Sequence, residues 1–321
     1  MGQGAAEVIS LRHHIISIAA VFLALAIGLI LGSTSVSNGL LSGLRSDKSG
    51  LQQNVGALES DRNTLRAQLN SANGFDSAVA PLALRGVLAQ RSVVIFTAPD
   101  ANSSDRDALV KLIGQAGGSV SGQVALTPAF VNPANADQLR STITNVIPAG
   151  VQLPTGSVDP GSLAGSLLGS VLLLDAKTAR PRTTPAELAV AVQALQAGGF
   201  IGAGGPPVAP GQLGLVLTGG AVTGDGAGDR AATVARFAAA LDRTSAGVVL
   251  AGRAGSADGN GPVGVARADA DITAALTTVD NVDTAAGQIT SVLGLQEQLD
   301  GRSGRYGTSR TAQGMTVATQ G

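Results

Sequence analysis

Apolar residues run without a charge from Ile15 to Leu31, and Ser17 is the one polar side chain among these 17 positions. At about 1.5 Å rise per residue, such a helix is about 25 Å long. That is the lower end of the roughly 17–25 residues that cross a bilayer. A secretory h-region is usually only about 7–15 residues, and the following "GSTSVSNG" has no clear Ala-x-Ala cleavage site. The pattern predicts a transmembrane anchor over 15–35, with a cleaved signal as the alternative. The period then changes. Leu44, Leu51, Leu58 and Leu65 recur every seven residues, and Lys48, Val55, Arg62 and Leu69 each follow four positions later. This predicts a coiled coil over 40–72, with a dimer seam of Leu44, Leu51, Val55, Leu58, Leu65 and Leu69. The expected partner is a second copy of the chain, because two helices anchored in one membrane are already aligned and concentrated. A single amphipathic helix lying on its own domain is the alternative. Gly74 and Pro81 in "SANGFDSAVAP" are expected to break the helix.

From residue 82 to 300 short apolar runs alternate with helical patterns. "SVVIFTA" (92–98) reads as a buried parallel strand. "SSDRDALVKLIGQAGG" reads as a helix capped by Ser103 or Ser104 and stopped by Gly117. Strands are expected at 119–126, 170–176, 214–219 and 247–252, with a last one in "AALTTVDNV". Helices are expected at 135–147, after Pro185, in "DRAATVARFAAALDR", and in "TAAGQITSVLGLQEQLDG" with Asp283 as its cap. The fold class is α/β: a transmembrane helix, a coiled-coil helix, then a parallel sheet covered by helices on both faces. Residues 1–14 form the cytoplasmic N-terminus, and the polar stretch 301–321 is expected to be disordered.

Composition narrows the chemistry. Charged residues are 13% and the net charge is −1, against roughly 25% charged in an average domain. No basic face is available for nucleic acid. There are no cysteines, so no disulfides hold the exported part. Both histidines, His13 and His14, precede the apolar run, which removes the usual base for hydrolytic nucleophiles; an enzyme is not expected. Adjacent histidines beside a span are candidate copper or zinc ligands, although side chains one residue apart on a helix diverge by about 100°. Interfacial residues are the alternative. Gly226, Gly228 and Ala231 fit G-x-G-x-x-A, but the acid expected about 20 residues later is absent, since Gly252 and Arg253 stand there. A connecting loop is the expected reading. A membrane barrel needs strands of about 10 alternating residues and aromatic girdles; aromatics are 2% here. Arg12 before the span gives a weak positive-inside signal, placing the bulk of the chain outside the cytoplasm.

"ISLRHH", the heptad helix, "VVIFTAPDA", "TTVDNVDTAAGQ" and "EQLDGRSGRYG" together resemble the MctB family of mycobacterial proteins, from Ile9 to about Tyr306. The resemblance implies copper efflux or copper resistance, with copper as the transported ion, and an outer-membrane channel. No cofactor is implied. Relatives also resemble SteB, the membrane-anchored member of a cell-division complex, which implies a SteA-like membrane partner. A single anchor favours the inner membrane. The resembling stretch begins near Val8, so residues 1–7 are expected to be dispensable.

Overall fold

The computed structural model describes residues 6–153, 159–203 and 207–318, and side chains from 11 to 32 and from 44 onward within them. The outermost ends, 1–5 and 319–321, lie outside the described residues. The chain divides into two compact units, Met1–Asn70 and Ser71–Gly321.

The described part of the first unit is helical. It belongs to α1, Ala6–Ala83. Its window Leu11–Gly32 has mean hydropathy 2.8 and no residue buried. The apolar stretch therefore takes in the two histidines at its start. The expected break at Gly74 and Pro81 does not occur, for α1 runs through both to Ala83. Proline removes one N–H and crowds the preceding turn, but Ala80, Leu84 and Leu88 on either side are fully buried in the second unit's core. Burial there outweighs the lost bond.

The second unit is an α/β domain. In chain order it contains β1 (Ser92–Thr97), α2 (Ser103–Gln115), β2 (Ser119–Ala125) and α3 (Pro128–Val131). Next come α4 (Ala136–Asn145), α5 (Pro160–Leu172), α6 (Pro185–Ala197), β3 (Leu213–Thr218) and α7 (Ala227–Asp242). It closes with β4 (Val248–Gly252), α8 (Pro262–Ala268), α9 (Ala270–Thr273), β5 (Thr277–Val279), α10 (Ala285–Leu299) and β6 (Arg305–Tyr306). The six strands are parallel, in the order β2-β1-β3-β4-β5-β6. Helices on both faces explain why β3 and β4 are buried at every position. Helices α3 to α9 supply one core. The other comprises α2, α10 and the end of α1. Aromatic rings are scarce and concentrated: Phe237 meets Phe96 and Phe130 edge-on, with centroids 5.5 and 5.3 Å apart.

Three expectations are corrected here. The run 170–176 is not a strand. It ends α5, and only Leu173 makes a single bridge, to Gly211. A buried apolar run carries no period to separate strand from helix. The decision comes from Gly161, Gly165 and Gly169, spaced by four along α5. A Cβ at Gly161 would stand 2.4 Å from the Thr233 carbonyl, and one at Gly165 2.4 Å from that of Phe237. The bare stripe lets α5 lie against the backbone of α7. The stretch after 300 is not disordered: β6 pairs with β5, and the chain is described to residue 318. Its partners are buried side chains far away in sequence, as set out below. The caps shift by one residue, since Asn102 caps α2 and Thr284, not Asp283, caps α10.

Candidate functional site

The strand order β2-β1-β3-β4 means that the chain leaves β1 toward β2 and leaves β3 toward β4, in opposite directions. In open parallel sheets the crevice beyond the carboxyl ends of two such strands is the usual place for a ligand. A cleft of about 530 Å³ lies there, lined by Pro99 and Asp100 after β1, Thr218 at the end of β3, Ala221–Thr223 after it, and side chains of α3, α7 and α8. Its size is in the roughly 300–1,000 Å³ range of small-molecule sites.

The floor is built by β1 and β3. The Thr218 hydroxyl, fully buried, donates to Asp100 Oδ1 at 3.2 Å. Gly219 makes this approach feasible, because a Cβ there would meet the Asp100 carbonyl and carboxylate at 2.7 Å. The walls are apolar: Val131 and Val234 are buried, Val222 is half-buried, and Pro262 closes one side. Arg230 sits at the rim, where its guanidinium donates to the carbonyls of Thr223 and Asp225. The loop expected from the glycine-rich stretch is thus a connection pinned by Arg230. Gly224 and Gly226 adopt φ of 83° and 68°, which favours glycine.

A second polar group lies along the same edge of the sheet. Asp105, in the first turn of α2, is 2.9 Å from Arg253 after β4, as an ion contact that is not aligned as a hydrogen bond. Burial pushes the Asp105 carboxyl above its ordinary range. Arg253 opposes this, and the charge of Asp283 adds to it. Asp283 Oδ1 accepts from the Ala254 N–H at 3.1 Å, so it braces the loop after β4.

Two of the stretches that carry the family resemblance, "TTVDNVDTAAGQ" and "EQLDGRSGRYG", meet in a third network. Arg267 of α8 and Asp280 after β5 form a buried pair at 2.6 Å, both side chains 2% exposed. Arg267 also donates to Ser309, Thr311 and the Tyr306 carbonyl. Asp280 accepts from Ser309 and from the Thr308 N–H. Burial works to raise the Asp280 carboxyl, but the bonds from Ser309, Arg267 and Thr308 outweigh it and hold it low. Tyr306 donates to buried Glu297 at 2.7 Å, and burial with that neighbour pushes its phenol up to about 12. These are structural contacts, since every member faces another residue of the fold.

The residues singled out by sequence lie elsewhere. His13 and His14 are exposed on α1. No group of three or more His, Cys, Asp or Glu side chains that could hold a metal occurs among the described residues. Leu44, Leu51, Val55, Leu58, Leu65 and Leu69 are exposed on α1, at 49–68%. Asp100 and Thr218 were missed. The only local hint of them was a polar residue at the end of one apolar strand and another three residues past the end of a second, and their neighbourhood depends on the order of strands in the sheet.

Fold and sites define a class: an α/β protein with one N-terminal helix long and apolar enough to span a membrane, and a small-molecule-sized cleft at the sheet's switch point. The chain belongs to the MctB family, whose profile, described as "Copper transport outer membrane protein, MctB", matches residues 8–317. It is 44% identical over 313 residues to Copper transporter MctB of Mycobacterium tuberculosis strain H37Rv, covering 97% of this chain and 99% of the relative. The Mycobacterium leprae strain TN protein of the same name is 43% identical over 315 residues, covering 96% and 99%.

Proposed function

We propose that this chain is a membrane-anchored, non-enzymatic envelope protein that acts in copper efflux or copper resistance. Near-full-length identity of 44% to proteins named Copper transporter MctB carries this reading. Copper is cargo, and the chain acts beside a membrane partner rather than as the conduit. Two features support that division of labour. The parallel sheet is covered by helices on both faces, the arrangement of a water-facing domain. Soft ligands are scarce, with no cysteine and two methionines, Met1 and Met315, in the whole chain. Arg12 ahead of the span orients the α/β domain away from the cytoplasm, anchored in the inner membrane. His13 and His14 diverge on the helix, so one pair does not close a copper site.

The test is copper tolerance of a strain lacking the chain, combined with planar-bilayer recording of the purified protein. Loss of tolerance, restored by the wild type and by a His13→Ala/His14→Ala variant, is the expected outcome, with no conductance. Stable unitary conductance steps would make the chain itself the conduit. Unchanged tolerance would remove copper from its function. The exposed leucine row favours a second reading, a scaffold that dimerises through α1 and holds a SteA-like partner in a cell-division complex. Altered cell separation with normal copper tolerance would favour it.

A further inference from the structure

The cleft between β1 and β3 has no role in the copper reading, and its chemistry is specific enough to name a ligand class. We propose that it binds a small molecule with a protonated primary amine and a compact aliphatic body, the amine on Asp100. Charge decides the head group. Asp100 Oδ1 receives one hydrogen bond, from Thr218, and a carboxylate accepts several. The cation in the described lining, Arg230, already directs both terminal nitrogens at the carbonyls of Thr223 and Asp225. The N-terminus of α7 contributes a partial positive charge of about half a unit at most. Its first N–H donates to the Gly224 carbonyl, and Asp229 stands in its first turn. An anion would therefore enter against Asp100, and the guanidinium that could meet it is held at the rim by those two carbonyls. That sets aside the phosphate site suggested by Gly226, Gly228 and Ala231.

The walls decide the body. Val131, Val222, Val234, Pro128 and Pro262 share the cleft lining with Asp100, which is itself exposed. Neither a Trp nor a Tyr is among the described residues of the lining, and branched aliphatic surface fits such walls better than a flat ring needing a stacking partner. Amine and carbon body are thus selected by different residues, and each can be removed separately.

The experiment is saturation-transfer NMR on the full chain in detergent micelles, with millimolar cyclohexylmethylamine as probe and cyclohexanecarboxylate as its anionic counterpart. Transfer to the ring protons of the amine, and not of the carboxylate, is expected. Asp100→Asn should weaken it about tenfold or more, the scale of one lost charge contact. Val222→Phe, which fills the mouth and leaves Asp100 in place, should also abolish it. Thermal melts of both variants report folding, and if one fails to fold the other decides. Equal transfer to both probes, no transfer to the amine, or amine binding unchanged in a folded variant overturns the proposal.

Discussion

Single side chains here matter through burial more than through reactivity. Asp242 ends α7, is half-buried, and accepts from the Val248 N–H at 2.9 Å. Burial pushes its carboxyl up to about 7, against the Val248 bond and Arg243. The folded state thus holds a proton that the unfolded chain releases near its ordinary pKa. This contribution to stability is complete below about pH 4 and is lost as pH rises through about 7. Asp242→Asn keeps the acceptor oxygen and removes the charge. Water moderates the effect at a half-buried site, so a gain of about 1 kcal/mol is expected at about pH 8. That corresponds to roughly 2–4 °C in Tm, with no gain at about pH 4, and calorimetry at both values checks it. Arg267 behaves oppositely. Replacing it with Met strands Asp280 in the core, which costs about 3–5 kcal/mol. The expected readout is a lower denaturation midpoint and new proteolytic cleavage between 302 and 318. A midpoint equal to wild type would show that the pair is dispensable.

At the scale of elements, α5 and the leucine row of α1 show opposite fates for apolar pattern. Gly→Ala inside a helix normally gains about 1 kcal/mol. At Gly165 the added methyl would meet the Phe237 carbonyl at 2.4 Å and the Ala240 side chain at 2.8 Å. Gly165→Ala is therefore expected to destabilise the protein, reversing the propensity rule, and urea unfolding gives the sign directly. The leucine row is exposed and has no such neighbour among the described residues of its own unit. If the chain dimerises through this row, as proposed above, replacing Leu51 and Leu58 with Glu is expected to leave the circular dichroism of the α/β domain unchanged and to abolish that dimer. Each buried leucine contributes roughly 1.5–3 kcal/mol, more than a seam carrying Lys48 and Arg62 can lose. Light scattering of the detergent-solubilised chain reads the mass, and an unchanged dimer would assign association to another surface.

For the whole molecule, the important boundary is the C-terminal one. The chain has a single tyrosine and no tryptophan, and Tyr306 lies in β6. Truncation after residue 300 removes β6, the Tyr306, Ser309 and Thr311 partners of Arg267, the Thr308 and Ser309 partners of Asp280, and the Tyr306 partner of Glu297, while the Arg267–Asp280 pair itself remains. A fragment of 71–318 is expected to fold cooperatively, whereas 71–300 is expected to melt at lower temperature and bind a hydrophobic dye. In the longer fragment the phenol should resist ionisation until about pH 12, which absorbance near the tyrosinate band follows. Ionisation near the ordinary value of about 10 would show that the Tyr306–Glu297 contact does not form.

The anchor and the helix-strand alternation of 92–125 and 213–252 are legible in the sequence because each rests on a local period or an unbroken apolar run. Length alone marks Leu11–Gly32 as long enough to span a bilayer, and short apolar runs mark β1, β3 and β4. Three decisions had no sufficient local cause. The helix at 160–172 has a local start in its cap Asp159 and in Pro160, but its place depends on a glycine stripe that means nothing until α7 lies against it. The order of the C-terminal segment depends on Arg267 and Asp280, whose charges would keep a free chain in water but hold β6 once both are buried. The cleft depends on β1 and β3 becoming neighbours, which brings Asp100 and Thr218 together across 118 residues of sequence. Period and length act within a few turns of the chain. Close approach, desolvation and strand order act between segments, so only the tertiary structure could decide them.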